Sequence, residues 1–224
     1  MTQVDIVSLK DNADPAGRLR LPIRDDSGMH VGDLQCIDRS MLDERGLVDD
    51  LTTWRNQSMP FFLTQFRATE ERTRRWLETI SLPAADRILF VICDHGGNRL
   101  GNFGLCNIRL GAAEFDNVIR GRASDVRNLM FHCGMTMLEW MFSGLGAETA
   151  ELHVFSHNEK AIGLYRRLGF AVAESLPLRR TEKEGTVKYS LVDRPDANAG
   201  FDYLRMELPR EYFRQVHPAA LPTG

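Results

Sequence analysis

The sequence predicts a single α/β domain: a mixed, mainly antiparallel sheet flanked by helices. Three stretches carry that expectation. Residues 88–93 are a continuous apolar run, followed by a His95-Gly96-Gly97-Asn98 turn and a second extended run over 100–110, which together read as a hairpin. Residues 129–145 carry apolar side chains on two helical faces, Leu129, Cys133, Met137, Trp140 and Met141 on one and Phe131, Leu138 and Phe142 on the other, so this helix is expected between layers. Residues 151–170 then read as a strand, a tight turn and a helix. Leu152 and Val154 alternate with polar neighbours, and Ala161, Ile162, Tyr165 and Leu168 share a face at spacings of three and four.

The remaining elements follow in order. Residues 1–16 are polar and aperiodic and are expected to form an irregular arm. Leu19, Leu21 and Ile23 alternate ahead of an Asp25-Asp26-Ser27-Gly28 turn, which suggests a hairpin with the run over 31–37. Residues 47–56 read as a helix ending in Trp54-Arg55-Asn56. Thr69 with Glu70 and Glu71 opens another, with Trp76, Leu77 and Ile80 as its buried face and Pro83 beyond its end. Residues 113–119 are a third strand, and 121–128 a loop before the long helix. In the strand–turn–helix, Ser156 and Glu159 form a capping-box pattern, Asn158 is a competing N-cap, and Gly169 suits a left-handed C-cap. Strands are expected at 171–176 and 201–208, with a polar hairpin arm over 179–200 between them. The domain is expected over 17–210, followed by a disordered tail at 211–224.

Composition limits the function classes. A net charge of −3 lacks the basic footprint of a general nucleic-acid binder. No basic segment followed by an apolar core opens the chain, and the longest apolar run is too short to span a bilayer, so no membrane partner is expected and the location is expected to be cytoplasmic. Cys36, Cys93, Cys106 and Cys133 form no metal or redox spacing and read as reduced, mostly buried thiols. The six His are scattered with no HExxH, so no metal site is expected.

The pattern Asn158-x-x-Ala161-Ile162-x-Leu164-Tyr165-x-x-x-Gly169-Phe170 resembles the C-terminal signature of the GCN5-related N-acetyltransferases (GNAT). It is most similar to the branch holding ribosomal-protein alanine acetyltransferases and amino-sugar acetyltransferases, in which Trp-Arg-Asn also recurs near the end of the first helix. The resemblance implies the GNAT fold, with two parallel strands that splay, here near Val118 and Val154. It implies acetyl-CoA as co-substrate, lying in that splay with its pyrophosphate at the N-terminus of the helix beginning near Asn128. The family's loop, Arg/Gln-x-x-Gly-x-Gly/Ala, aligns with Asp125-Val126-Arg127-Asn128-Leu129-Met130. Both small residues are absent: Asn128 tolerates a left-handed backbone, whereas Met130 would crowd a phosphate unless turned away. Arg120, Arg122, Arg127, Arg166 and Arg167 are candidate phosphate contacts. The cofactor-binding set implied is Val118, Ile119, Arg120, Arg122, Val126, Arg127, Asn128, Leu129, Met130, Asn158 and Tyr165.

The implied reaction is direct acyl transfer to a primary amine in a ternary complex. An alkyl amine of pKa about 10.4 is overwhelmingly protonated at neutral pH, so a base is needed. Glu114 and Asp116, two apart on the strand feeding the loop, are the candidates. A strand-end N–H between residues 118 and 120 would serve the oxyanion, and Tyr165 is the acid the family places toward the leaving thiolate. Trp54-Arg55-Asn56 with Phe61 and Phe62 would form one wall of the acceptor pocket and residues 179–200 the other, where Phe61, Phe62 or Phe66 stack on a ring and Arg179 or Arg180 pairs with phosphate. An amino-sugar nucleotide is the acceptor this reading favours. A protein N-terminus, or a CoA-binding module without catalysis, are the alternatives, and a homodimer is possible on this reading.

Overall fold

The computed structural model describes residues 4–12, 14–218 and 220. Strands β1 (Arg20–Arg24) and β2 (His30–Cys36) form the expected hairpin, its turn held by the Asp25 carboxylate, which accepts from the Ser27 and Met29 N–H groups. Helix α2 (Leu47–Gln57) and helix α3 (Glu70–Trp76) follow, separated by the two-residue strand β3 (Thr64–Gln65). Strands β4 (Ile88–Cys93), β5 (Arg99–Arg109) and β6 (Ala112–Arg120) form a meander. Helix α4 (Leu129–Glu139), strand β7 (Thr149–Phe155) and helix α5 (Glu159–Leu168) come next. The chain continues through β8 (Ala171–Leu176), β9 (Leu178–Lys183), β10 (Thr186–Leu191) and β11 (Tyr203–Pro209).

Eight strands make the main sheet in the order β1-β2-β4-β5-β6-β7-β11-β8. Every neighbouring pair is antiparallel except β6 and β7. One face carries α4 and α5 over Leu105, Phe115, Leu152, Cys133, Met137 and Leu168. The other carries α2 and α3 over Leu89, Val91, Ile119, Leu51 and Trp54. The all-buried run of β4 is thus explained by helices on both faces. The two glycines that matter most allow close approach. A Cβ on Gly134 of α4 would lie 2.6 Å from Leu168 of α5, and one on Gly121 would lie 2.1 Å from the Trp54 indole. All four cysteines are free and buried, and burial pushes the Cys93 thiol up to about 11. No helix among the described residues is long and apolar enough to cross a membrane.

Several local expectations are corrected. The stretch expected as an irregular arm over 1–16 contains helix α1 (Ile6–Lys10), capped by the Asp5 carboxylate and packed through buried Ile6; residues 1–3 and 13 lie outside the described residues. The tail expected to be disordered over 211–224 contains most of helix α6 (Arg210–Val216), anchored by Phe213, which is fully buried beside Phe142; residues 219 and 221–224 lie outside the described residues. Ile80 is exposed, because a π turn over Leu77–Ser81 takes up an extra residue and brings Ser81 to the buried side instead. A second π turn, Trp140–Gly144, ends the long helix. The cap of α5 is Asn158, whose side chain accepts from Ala161 N, while Ser156 Oγ accepts from Asp202 N, so the capping box does not form. The polar arm over 179–200 is a hairpin of β9 and β10, and β10 pairs with β3 into a small second sheet that single-segment periodicity does not reveal.

Candidate active site

Strands β6 and β7 are paired from Ala112 with Thr149 to Phe115 with Leu152, and part beyond. The cause lies in β6. Asn117 adopts φ 49°, and the register with β5 shifts between Asn102 and Gly104, which marks a bulge. Asn102 Nδ2 holds the bulge by donating to Asn117 O. A bulged strand bends, so β6 turns away from β7 and opens a cleft of about 870 Å³. Val118 and Val154 line the separated ends, as do Ile119 and Arg120.

The N-terminus of α4 closes one end of this cleft. Asn128 adopts the left-handed conformation, φ 57° and ψ 24°, taking the role a glycine would have. The Leu129 and Met130 N–H groups have no hydrogen-bond acceptor among the described residues, as expected for a first helical turn. Met130 lines the cleft but rests partly on the apolar core. Arg120, Lys160 and Arg167 also line the cleft, and Arg167 sits 4.6 Å over the Phe131 ring, which fixes its reach. Not every expected arginine comes here. Arg122 pairs with Asp50 at 2.5 Å, and Arg127, Arg166 and Val126 are not among the lining residues; Val126 N is taken by Ser124 Oγ. Asn158 lines the cleft while its side chain caps α5.

The expected carboxylates fall into different arrangements. Glu114 Oε1 stands 2.6 Å from His153 Nδ1, and Asn107 Nδ2 donates to Glu114 Oε2 at 2.7 Å. Burial works to raise the Glu114 carboxyl, but the hydrogen bonds from His153 and Asn107, and the charges of His153 and Arg109, outweigh it and leave it below its ordinary 4.5. Glu114 is therefore an anion that receives Nδ1–H, so that whenever the imidazole is neutral its lone pair lies on Nε2, an atom without a hydrogen-bond partner among the described residues. Tyr203 stacks on the imidazole at 5.0 Å. Asp116 Oδ2 is held by Arg87 and by Asn117 Nδ2. Tyr165 is buried and lines the cleft, and its hydroxyl has no hydrogen-bond partner among the described residues. Burial, with the Asp116 charge in support, pushes its phenol above the ordinary value.

The sequence reading missed His153. Its position was legible, because it alternates with Leu152 and Val154 and so faces away from them. The parallel register that sets it beside Glu114 was not. The lowered carboxyl has a consequence for stability. Its contribution is present above about pH 4.5 and is lost as pH falls through the lower folded-state value. Glu114→Gln should therefore destabilise the fold near neutral pH, with the gap from wild type narrowing below pH 4.5. Denaturant midpoints of both proteins against pH check this; a gap that stays constant into acid would refute it.

A family model described as Acetyltransferase (GNAT) domain matches residues 43–171. The chain belongs to the GNAT acetyltransferase family. No curated protein matches it. Among solved structures it is similar to spermidine N-acetyltransferase from Vibrio cholerae in complex with CoA and spermine, at 20% identity and a TM-score of 0.60, over 80% of this chain and 96% of that one. It is also similar to a probable GNAT-family acetyltransferase from Chromobacterium violaceum, at 19% identity and a TM-score of 0.62, over 91% of each. Both likenesses concern the fold.

As a GNAT acetyltransferase the protein is an N-acetyltransferase with acetyl-CoA as co-substrate. The residues present fit that molecule. Free N–H groups at the start of α4, the positive end of its dipole, and Arg120, Lys160 and Arg167 suit phosphates.

Proposed function

We propose that the protein transfers an acetyl group directly to the primary amine of a small molecule, with His153 as general base and Glu114 as the residue that orients it. The observation that carries this reading is the Glu114–His153 pair on the wall of the splay, with Nε2 of the imidazole free. Imidazole is the side chain best suited to taking a proton near neutral pH. Asp116 is less suited, because Arg87 and Asn117 already engage its Oδ2.

In this mechanism His153 Nε2 takes the proton of the attacking amine as the N–C bond forms. The bulge at Asn117 interrupts the ladder with β5 beside Val118, and a backbone N–H of the strand end over 118–120 is the donor this mechanism assigns to the oxyanion. The C–S bond then breaks, and its electron pair leaves on sulfur. An ordinary thiol has a pKa of about 8.5, below the roughly 10 of a tyrosine phenol. Full transfer from the raised Tyr165 phenol is therefore uphill, and Tyr165 serves by donating a hydrogen bond to the thiolate. Such a bond to a charged group is worth about 1.5–3 kcal/mol, so Tyr165→Phe should lower kcat about 10–100-fold with acetyl-CoA affinity nearly intact. Equal kcat in both proteins would return Tyr165 to a packing role.

For the acceptor, the reading we put forward is an amino-sugar nucleotide. Phe61 and Phe62 line the cleft, in support of a stacked ring. Arg179 and Arg180 do not support it, since they pair with Asp196 and Glu182 on the exposed arm. The test is free-thiol release from acetyl-CoA across nucleotide-linked amino sugars and peptides starting with Ala or Ser. Faster acetylation of any peptide than of every sugar would replace this acceptor by a protein N-terminus. Tight acetyl-CoA binding with no turnover on any amine would leave a non-catalytic module.

A further inference from the structure

A second cavity, of about 300 Å³, lies under α2 and α3 on the far side of β6 from α4. Arg55, Asn117 and Ile119 line both this cavity and the acetyl-CoA cleft, so the two meet at the β6 bulge. Its walls are apolar or aromatic at Leu51, Phe66, Trp76 and Leu89, and its charged lining residues are Arg55, Arg72 and Arg87. No Asp or Glu is among its lining residues.

The three arginines are not equivalent. Arg87 is committed to Asp116. Arg55 has no ion-pair partner among the described residues. Its one hydrogen bond runs from Nη2 to Thr64 O at 3.3 Å, and its guanidinium lies 3.2 Å over the Phe62 ring, which fixes it in place. Burial draws Arg55 down to about 10, against the pull of Asp116, and it still carries its charge at neutral pH. Arg72 stands exposed at the cavity rim, 5.4 Å from the Phe66 ring, with only a 3.5 Å contact to Arg67 O. A half-buried guanidinium without a counter-ion has a large unmet demand for an anion, and the planar fork of arginine matches carboxylate or phosphate oxygens.

We infer that this cavity is an acceptor subsite for an anionic group, so that the protein acts on small amines carrying a carboxylate or a phosphate and discriminates against polycationic amines. The inference rests on the transferase reading above and narrows its substrate class. The amine would reach the β6 bulge while the anion sits between Arg55 and Arg72. A polyamine entering the same space would meet two arginines that make no ion pair among the described residues and a lining without Asp or Glu, a like-charge arrangement that binding sites use to reject the wrong ligand.

The test is calorimetric binding to the full-length protein loaded with CoA, using two pairs of amines that differ in the anion alone: glucosamine 6-phosphate against glucosamine, and phenylalanine against phenethylamine, with spermidine as the polycation. The anionic member of at least one pair should bind at least tenfold tighter than its neutral or cationic counterpart and than spermidine. The responding pair identifies phosphate or carboxylate. Arg72→Ala, at an exposed position, should collapse that preference while leaving CoA affinity and thermal stability unchanged, and Arg55→Gln should collapse it as well. Spermidine binding as tightly as the anionic amines, no preference in either pair, or a preference that survives both substitutions would each overturn the proposal. Thiol release from acetyl-CoA with the preferred amine is scored separately: binding without release counts against the transferase reading while supporting the anion subsite.

Discussion

His153→Gln is expected to lower kcat by about 10²–10⁴-fold, the usual worth of a positioned general base. The argument is geometric. Glu114 Oε1 stands 2.6 Å from Nδ1 and is held as an anion by His153, Asn107 and Arg109, so the imidazole has one tautomer and one orientation. Stacking of Tyr203 on the ring adds a second constraint. Glutamine preserves much of the volume and offers an amide N–H to Glu114, but it has no basic nitrogen. The variant should bind acetyl-CoA normally, since the groups that suit phosphates lie at α4, α5 and the Arg120 end of β6. Activity should recover in part as pH rises and the amine deprotonates without help. A kcat within threefold of wild type would remove His153 from the mechanism and return the role of base to Asp116.

The largest effect on stability is expected far from the site, at Lys10. This lysine is fully buried, and its Nζ donates to three backbone carbonyls: Ser81 O at 2.9 Å, Ala84 O at 2.5 Å and Arg87 O at 2.6 Å. These carbonyls belong to the end of the π turn and the loop that leads into β4, a segment without regular hydrogen bonding of its own. Burial pulls the ammonium down to about 8, so at neutral pH it remains mostly charged and supplies three donors. Lys10→Met keeps the length of the side chain but leaves three acceptors without their donor. Each costs about 1–3 kcal/mol when buried, and relief from burying the charge offsets part of the sum, so the net loss is about 3 kcal/mol. For a chain of this size that corresponds to a fall in Tm of about 6–12 °C. A calorimetric Tm within a degree or two of wild type would show that water satisfies those carbonyls.

The two residues behind these predictions are the ones the sequence concealed. Lys10 stands in a polar, aperiodic stretch, where a lysine signals solvent; only the docking of α1 beside the π turn surrounds it with carbonyls. His153 shows its face by alternation, but its partner depends on the register of two strands separated by α4. Regular helical periodicity puts Ile80 on the buried face, and a π turn breaks that periodicity.

What the sequence determined by itself is local. The period of the apolar residues set the helices and strands, because a helix repeats near 3.6 and a strand at 2. The pattern from Asn158 to Phe170 marked an inward Tyr165 and a left-handed Gly169, which depend on residues within one or two turns, while the choice of cap between Ser156 and Asn158 was left to the structure. The tertiary structure decided what depends on separate segments meeting. The bulge at Asn117 parts β6 from β7 and makes the cleft. The register of those strands joins Glu114 to His153, and the packing of α2 and α3 against β6 leaves Arg55 without a counter-ion. Chemistry of that kind is set by distances across the sheet, and no spacing along the chain encodes them.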